Sequence, residues 1–289
     1  MHYQGTLYRP PSEANSILLQ VSTGCSHNKC TFCGMYKEVR FTIKPEELIL
    51  ADIEYAAEHF PSARRLFLCD GDALILPQAR LLTILKRIKT RLPQITRIGI
   101  YANTKSLKSK SIEELRALRQ QGLGIVYMGL ESGDDVTLAG MNKGAASGEM
   151  IETGKKVKAA GIQLSVTVLL GIAGPARSDI HATETGRVLT ALDPDYIGAL
   201  SLMLEPGTVL YSDYQAGRFA LPEPLAILRE LRTMIAATTL SQGLFHANHA
   251  SNYLPIRAKF PEEKVEALAL LDQAITGHLA LKPEYLRAL

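Results

Sequence analysis

The stretch CSHNKCTFC, residues 25–33, holds three of the four cysteines of the chain on one short loop. Cys25, Cys30 and Cys33 follow a short apolar run, Ile17–Ser22, that is typical of a buried strand. Three thiols so close in sequence can converge on one soft metal centre without ligands from distant parts of the chain. The stretch therefore predicts a metal-binding loop at the end of the first strand of the fold.

Two kinds of metal centre fit this loop. One is a structural zinc site with His27 as the fourth ligand, although zinc loops usually offer two ligands and draw two more from elsewhere. The other is a [4Fe-4S] cluster, because three thiolates leave the fourth iron open to a further ligand. The spacing favours the cluster and leaves both alternatives open.

Length and composition indicate an ordinary globular protein. The chain has 289 residues, of which 46% are hydrophobic and 21% are charged, and its net charge is +3. That charge is too small to indicate nucleic acid or an anionic membrane as a partner. The first residues lack a signal-peptide pattern, no apolar run reaches the roughly 18 residues of a membrane span, and clustered thiols fit a reducing compartment. We therefore predict a cytoplasmic protein with no nucleic-acid or membrane partner.

Strand-like and helix-like segments alternate along the first two thirds of the chain. The predicted strands are Ile17–Ser22, Arg65–Cys69, Arg97–Ala102, Gly124–Leu130, Gln163–Leu170 and Tyr196–Met203. The predicted helices are Pro45–His59, Pro77–Leu92, Ser111–Gln121, Ser147–Ala160 and Asp179–Leu192. This alternation predicts an α/β fold with a parallel sheet and right-handed crossovers.

Such a sheet either opens as a doubly wound fold or curls into a barrel. Polar or glycine residues stand at the ends of the predicted strands or just past them: Cys25, Asp70, Asn103, Glu131, Gly171 and Glu205. Parallel α/β barrels place their chemistry at the carboxyl ends of the strands. We therefore predict a partial (β/α)6 parallel barrel.

The alternation ends near residue 215. Beyond it, Pro222–Gly243 and Pro261–Ile275 have helical spacing, and a polar segment, Phe245–Tyr253, separates them. The predicted organisation is a core over residues 1–215 and a C-terminal helical extension over residues 216–289 that packs on it. The polar segment can add a seventh strand at the edge of the sheet.

The cysteine loop resembles the cluster-binding motif of the radical S-adenosylmethionine (radical SAM) enzymes. Phe32 stands at the aromatic position before the last cysteine, and four residues rather than the commoner three separate the first two cysteines. The segment Asp70-Gly71-Asp72 is similar to the family's glycine-rich acidic motif, which holds the amino group of the methionine moiety. Asp70 stands there for a glycine and Asp72 for the usual glutamate. The resemblance implies that Cys25, Cys30 and Cys33 bind the cluster.

Later segments resemble the same family in the same order. Gly129–Gly133 and Met141–Gly144 look like the fourth-strand segment of the coproporphyrinogen-oxidase, methylthiotransferase and Elongator-catalytic branches, and Val168–Gly174 looks like the adenine-binding segment. Thr167 stands where the coproporphyrinogen-oxidase branch has a ribose-binding aspartate. The resemblance implies further contacts with SAM by Glu131, Ser132, Lys143, Thr167, Gly171 and Gly174.

The resemblance covers residues 15–215 and implies an enzyme. In the family, the open iron of the [4Fe-4S] cluster chelates S-adenosyl-L-methionine, and an electron from the cluster cleaves it to a 5′-deoxyadenosyl radical, which abstracts hydrogen from a substrate. The electron requires a reducing partner such as flavodoxin or ferredoxin. The sequence has no second cysteine group for an auxiliary cluster, which disfavours methylthiolation and points to a small or medium-sized substrate.

Candidates for substrate contact lie outside the shared motifs. They are Cys69 and Asn103 at strand ends, and His249, Asn252 and Tyr253 in the polar segment. A free cysteine is more often a small buried apolar residue, and the polar segment can equally satisfy buried backbone where the extension docks. A non-enzymatic alternative also stands, a zinc- or cluster-stabilised binding protein on the same fold.

Overall fold

Strands of a largely parallel sheet form the centre of the fold in the computed structural model, which describes residues 1–288. The strands are β1 Ile17–Gln20, β2 Ser22–Thr23, β3 Thr42–Ile43, β4 Arg65–Cys69, β5 Arg97–Ala102, β6 Leu123–Glu131, β7 Gln163–Leu170, β8 Tyr196–Ser201, β9 Gly243–Ala247 and β10 Ile256–Phe260. Eight of them form one sheet in the order β1-β4-β5-β6-β7-β8-β9-β10, and β2 pairs with β3 separately. Because β1 and β10 end this order, the sheet is not closed.

Helices follow most of these strands. They are α1 Glu46–His59, α2 Gln78–Arg91, α3 Thr104–Lys108, α4 Ile112–Gln120, α5 Asp135–Gly140, α6 Ser147–Ala159, α7 Ser178–Leu192, α8 Val209–Gln215, α9 Pro224–Ala237 and α10 Lys264–Ile275. In the part of the chain that the structure describes, no helix is long and apolar enough to cross a membrane.

The chain divides into two compact units. The first comprises Met1–Asn28, Met35–Met128 and Glu152–Leu164, and the second comprises Lys29–Gly34, Gly129–Ile151 and Ser165–Leu289. In the first unit, β1, β4, β5 and β6 pair in parallel. In the second unit, β7, β8 and β9 pair in parallel, and β10 runs antiparallel to β9.

The two faces of the sheet differ in the second unit. Val166, Val168 and Leu170 of β7 are buried, whereas the residues that alternate with them are only half-buried. The strands β8 and β9 repeat this alternation. Because successive side chains of a strand point to opposite faces, β7, β8 and β9 share one fully buried face and one partly open face.

Two capping boxes fix helix starts in the first unit. Ser111 Oγ accepts from the Glu114 amide at 3.1 Å and Glu114 Oε2 accepts from the Ser111 amide at 2.8 Å, at the position where the sequence predicts a helix to begin. Asn103 and Ser106 make the same reciprocal pair at the start of α3, which the sequence patterns did not predict. Each box satisfies backbone donors that the first turn of a helix leaves open. The box at Asn103 also fixes that residue at the end of β5.

The predicted α/β fold with a partial parallel barrel is confirmed, with two differences at its C-terminal end. The helix predicted over Pro222–Gly243 ends at Ala237, because Thr238 takes an extended conformation and its hydroxyl donates back to the Met234 carbonyl. The residues that follow form β9, and β10 beside it occupies the edge of the sheet, so the predicted seventh strand is not the edge strand. The division into a core and an extension at residue 215 stays a prediction.

Candidate radical SAM site

The cysteine loop has little regular structure, and its second half is held by hydrogen bonds. All four cysteines are thiols; Cys69 is buried, and the three loop cysteines are partly exposed. Cys30 and Cys33 belong to the second unit. There the Thr31 amide donates to the Met141 carbonyl at 3.0 Å, and the Thr31 carbonyl accepts from the Leu210 amide at 3.0 Å. These backbone bonds fix the chain between the last two cysteines.

Two further contacts flank Cys33. Phe32 packs against the apolar cluster of Ile172, Leu202 and Leu210, and the Gly34 amide donates to Glu205 Oε2 at 2.7 Å. A Cβ at Gly34 would lie 2.6 Å from the same oxygen, so a side chain there would displace Glu205. Phe32, which the sequence predicts to contact the cofactor, therefore also holds the loop in place by apolar packing.

The segment Asp70-Gly71-Asp72 follows β4 in the first unit and lies against Cys25. Asp70 has φ +79°, in the left-handed region that a glycine enters more easily, which fits the family's glycine at this position. The Gly71 amide donates to the Gly24 carbonyl at 3.1 Å, and a Cβ at Gly71 would lie 2.7 Å from the Cβ of Cys25. Gly71 is thus required by the close approach of this turn to the cysteine loop.

Asp72 is buried and saturated by neighbouring polar groups. Its Oδ2 accepts from Asn103 Nδ2 at 2.9 Å and from Ser26 Oγ at 2.5 Å, and its Oδ1 accepts from the Asn103 amide at 3.3 Å. Burial raises the pKa of the Asp72 carboxyl, and the hydrogen bonds from Ser106, Ser26 and Asn103 oppose that rise. The first unit therefore brings together the residues after β1, β4 and β5.

Asp70, in contrast, keeps an unused acceptor. Its Oδ2 accepts from Gln20 Nε2 at 2.9 Å, whereas its Oδ1 is buried and makes no hydrogen bond of good geometry among the described residues. The Tyr36 hydroxyl and the Gly24 backbone nevertheless lie close enough to the carboxyl to lower its pKa. A buried acceptor without a donor is unfavourable, and an ammonium group would satisfy it. The buried Oδ1 of Asp70 is the feature of the first unit that fits the ammonium group of the methionine moiety of SAM.

Replacing Asp70 by asparagine is expected to stabilise the protein near neutral pH. Burial raises the pKa of the Asp70 carboxyl to about 6, so ionisation is less favourable in the folded protein than in the unfolded chain. The destabilisation grows as the pH rises from about 4 through about 6, and it is absent when both states are protonated. Asparagine also tolerates the left-handed conformation.

We expect Asp70→Asn to raise the free energy of unfolding by about 1 to 3 kcal/mol at pH 7.5 and by little at pH 4, as measured by urea unfolding at both pH values. An equal gain at the two pH values would show that backbone strain, not the charge, is relieved. A loss of stability at pH 7.5 would contradict the prediction.

Glu131 and Lys143 form an ion pair at the end of β6. Lys143 Nζ lies 2.9 Å from Glu131 Oε1, and both side chains are largely buried. Glu131 has φ +62°, a second left-handed conformation at a strand end. A Cβ at Gly129 would lie 2.1 Å from Glu131 Oε1, so only glycine leaves room for the pair. The arrangement presents one carboxylate and one ammonium together in the second unit.

The remaining predicted cofactor residues also lie in the second unit. Ser132 is fully buried, and its Oγ lies 2.7 Å from His181 Nδ1. Gly171 and Gly174 have φ values of +82° and +66°, conformations in which a side chain is strained. Thr167 lies on the partly open face of β7.

The structure shows no compact group of metal-binding side chains among the residues that it describes. Among residues 1–288, no three His, Cys, Asp or Glu side chains are close enough to hold a metal ion. The donor set nevertheless suits an iron–sulfur cluster by its chemistry, since it consists of three partly exposed thiols. The ligand role of Cys25, Cys30 and Cys33 stays a prediction.

Comparison with known proteins identifies the family. The model of the Radical SAM superfamily matches residues 19–184. The chain belongs to this superfamily. The match confirms the predicted family, and that family uses a [4Fe-4S] cluster and S-adenosyl-L-methionine.

The chain is similar to three known proteins at low sequence identity. The heme chaperone HemW of Bacillus subtilis strain 168 is 21% identical over 194 residues, 67% of this chain and 50% of that protein. The chain thus spans about half the length of this curated relative. Coproporphyrinogen III oxidase (HemN) from Escherichia coli has a TM-score of 0.57 at 16% identity, over 76% of this chain and 51% of that one. Methylornithine synthase (PylB) has a TM-score of 0.54 at 18% identity, over 78% and 63%. Both structures share the fold.

Two residues that the sequence assigned to the substrate of this radical SAM protein are engaged elsewhere. Asn252 Oδ1 accepts from the Ser201 amide at 2.8 Å, and Asn252 Nδ2 donates to the Ala199 carbonyl at 2.8 Å. Tyr253 donates to Glu284 Oε2 at 2.7 Å, and the Arg287 guanidinium lies over its ring. These contacts favour the docking interpretation of the polar segment for both residues.

The other substrate candidates have their own partners. His249 Nδ1 lies 2.9 Å from Ser251 Oγ, and Asn103 caps α3 and binds Asp72. Cys69 is fully buried, and burial raises the pKa of its thiol, which favours the apolar interpretation of this residue.

His246 belongs to the polar segment Phe245–Tyr253, although the sequence did not single it out among the substrate candidates. It lies on β9, on the partly open face of the sheet, and its Nε2 is buried without a hydrogen-bond partner in the described chain. The strand registers place Thr167, Gly198, His246 and Arg257 in one row across β7, β8, β9 and β10. The sequence of Gly243–Ala247 does not alternate clearly between apolar and polar residues, and the helical spacing before it obscures where the helix ends.

Proposed function

We propose that this chain is a radical SAM enzyme whose [4Fe-4S] cluster is bound by Cys25, Cys30 and Cys33. When bound, the cluster and S-adenosyl-L-methionine supply a 5′-deoxyadenosyl radical that abstracts hydrogen from a small or medium-sized substrate. The observation that carries the proposal is the family match over residues 19–184, which includes the cysteine loop and the motifs at the ends of β4, β6 and β7.

The chain's own residues would bind and orient S-adenosyl-L-methionine. In the first unit, Asp70 Oδ1 is an unused acceptor for the methionine ammonium, while Asp72 orients Ser26 next to Cys25. In the second unit, the Lys143 ammonium can pair with the methionine carboxylate, and Glu131 holds Lys143 in place. Gly171 and Gly174 let backbone lie against the adenine, as their counterparts do by resemblance.

For the substrate, we propose a molecule that carries a carboxylate. The row of Thr167, His246 and Arg257 offers a hydroxyl, an imidazole nitrogen and a guanidinium on one face of the sheet, with Gly198 leaving space between them. Burial lowers the pKa of His246, so its neutral ring can donate a hydrogen bond. The solved relative HemN is named for coproporphyrinogen III, which supplies a suitable probe with several carboxylates.

His246→Ala is expected to weaken binding of coproporphyrinogen III about tenfold, measured by anaerobic equilibrium dialysis. The loss follows from removal of a hydrogen bond to a charged group. His249→Ala serves as the matched control, because His249 already bonds Ser251, and should leave binding within about twofold of the unmodified protein. Equal effects of the two substitutions, or no binding to the unmodified protein, would contradict the assignment.

Radical SAM enzymes need a reductant, and we propose flavodoxin or ferredoxin as the electron donor. Reduced, partly exposed thiols and a low-potential cluster fit the cytoplasm. Reduction of the cluster by a purified flavodoxin, followed by absorbance under anaerobic conditions, tests this partner. An unreduced cluster with flavodoxin and ferredoxin, but a reduced one with dithionite, would point to another donor.

A second candidate function is a cluster-stabilised binding protein. One observation favours it, since the matched relative from Bacillus subtilis is a heme chaperone. The two functions are separated by anaerobic reconstitution, reduction with dithionite and addition of S-adenosyl-L-methionine. Formation of 5′-deoxyadenosine supports the enzyme, whereas a full cluster without it supports the binding protein.

A further inference from the structure

A buried carboxylate of α9 holds the strand end at Gly171. Glu230 is fully buried, its Oε1 accepts from the Gly171 amide at 2.6 Å, and its Oε2 accepts from Ser178 Oγ. A Cβ at Gly171 would lie 2.7 Å from Ile227 Cδ1, so α9 also presses directly on this turn. The amide of Gly171 is therefore fixed by a group that lies 59 residues away in sequence.

The same carboxylate reaches a second strand end through a histidine. His181 Nε2 lies 3.4 Å from Glu230 Oε1, and His181 Nδ1 lies 2.7 Å from Ser132 Oγ. Ser132 Oγ already accepts from the Asp134 amide at 3.0 Å. With Ser132 donating its proton to Nδ1, the ring proton is on Nε2, which faces Glu230 across 3.4 Å without making a hydrogen bond of good geometry. The chain of contacts ends beside Glu131.

A serine, a histidine and a carboxylate in sequence also describe a nucleophilic triad, but this arrangement cannot act as one. Ser132, His181 and Glu230 are all fully buried, so no substrate reaches the hydroxyl. Ser132 is also committed to the backbone of the turn. The network connects structural elements and does not attack a substrate.

Packing alone does not account for a carboxylate at this position. An apolar side chain on α9 would fill the same space without the penalty of burying an acidic group. What the carboxylate adds is a fixed direction for the Gly171 amide, in a turn whose φ of +82° is open to glycine and strained for other residues. A positioning role explains why the polar group is present.

We propose that Glu230 is a positioning residue for S-adenosyl-L-methionine. Glu230 directly fixes the turn at Gly171, which by resemblance lies against the adenine, and it fixes the end of β6 at Glu131 through His181 and Ser132. This inference rests on the proposed function. It extends the cofactor site to a helix that lies beyond residue 184, where the family match ends.

The test compares Glu230→Ala, Glu230→Gln and Met234→Ala in the cluster-containing protein. A glutamine at this position would still accept from the Gly171 amide, so Glu230→Gln is the conservative variant. Met234 is buried on the same helix and its side chain takes no part in the network, so Met234→Ala controls for loss of packing. The measurements are the Kd for S-adenosyl-L-methionine, hydrogen exchange of the peptides around residues 131 and 171, and the melting temperature.

We expect Glu230→Ala to raise the Kd about tenfold and to speed exchange at both strand ends. Glu230→Gln should stay within about threefold of the unmodified protein. Met234→Ala should lower the melting temperature and leave the Kd unchanged. An unchanged Kd in Glu230→Ala, or an equal rise in Met234→Ala, overturns this inference alone. If the unmodified protein carries its cluster and does not bind S-adenosyl-L-methionine, both the proposed function and this inference are overturned.

Discussion

Cys30→Ala is expected to abolish both the iron–sulfur cluster and the cleavage of S-adenosyl-L-methionine. With one of three thiolate ligands removed, two cysteines of the loop cannot hold a [4Fe-4S] cluster that keeps one iron open. We expect iron and sulfide to fall from about four per chain to less than about one after anaerobic reconstitution, with loss of the broad visible absorbance of the cluster. Formation of 5′-deoxyadenosine should fall below detection.

The matched control is Cys69→Ala, which removes the one cysteine outside the loop. Cys69 is fully buried, so this change should lower stability slightly and leave iron content and cleavage intact. Retained iron and cleavage in Cys30→Ala would contradict the ligand assignment. Purified protein with one zinc and no iron per chain would favour the structural zinc site that the spacing of the loop left open.

Asp72→Asn is expected to weaken binding of S-adenosyl-L-methionine by roughly 10- to 100-fold while the cluster is retained. The substitution is isosteric, but it removes the charge and sets an amide donor against Asn103 Nδ2 or Ser26 Oγ, both of which donate to the carboxylate. Hydrogen bonds to charged groups contribute about 1.5 to 3 kcal/mol, which corresponds to that range. The measurement is equilibrium dialysis with labelled S-adenosyl-L-methionine.

Comparison of Asp72→Asn with Asp70→Asn distinguishes the roles of the two acidic residues in cofactor binding and in stability. If Asp70 Oδ1 accepts from the methionine ammonium directly and Asp72 acts through Ser26, both substitutions weaken binding, but only Asp72→Asn lowers stability. Asp70→Asn should instead raise stability at pH 7.5, because it removes a buried charge. Unchanged binding in both variants, with clusters intact, would remove the acidic motif from the cofactor site.

Local sequence patterns predicted most of the α/β core. The apolar runs at Arg65–Cys69, Arg97–Ala102 and Gln163–Leu170 form strands with those bounds, because continuous burial and flanking turn residues define them within a few positions. The box at Ser111 marks the start of α4 for the same reason. These features depend on neighbouring residues alone.

The C-terminal strands were harder to predict. Strand β9 is five residues long and follows a helix without a strong break, and β10 alternates Ile256, Ala258 and Phe260 with exposed basic residues. Its position depends on pairing with β9, which is a tertiary contact. Propensity over so short a window does not determine such pairing.

Long-range partners account for what the sequence did not predict about the candidate site. Asp70 and Asp72 look equivalent in sequence, yet only Asp70 keeps an unused oxygen, because the partners of Asp72 come from two other strand ends. Glu230 lies in an amphipathic helix where nothing in the sequence marks it as buried. Its role follows from a contact with Gly171 that only the fold creates.

The most direct test of the central proposal is the anaerobic measurement of 5′-deoxyadenosine and methionine after dithionite reduction of the reconstituted protein with S-adenosyl-L-methionine. A radical SAM enzyme should form the two products in equal amounts, with Cys30→Ala forming neither. A protein that carries a full [4Fe-4S] cluster, is reduced by dithionite and forms no 5′-deoxyadenosine above the Cys30→Ala background would contradict the proposal.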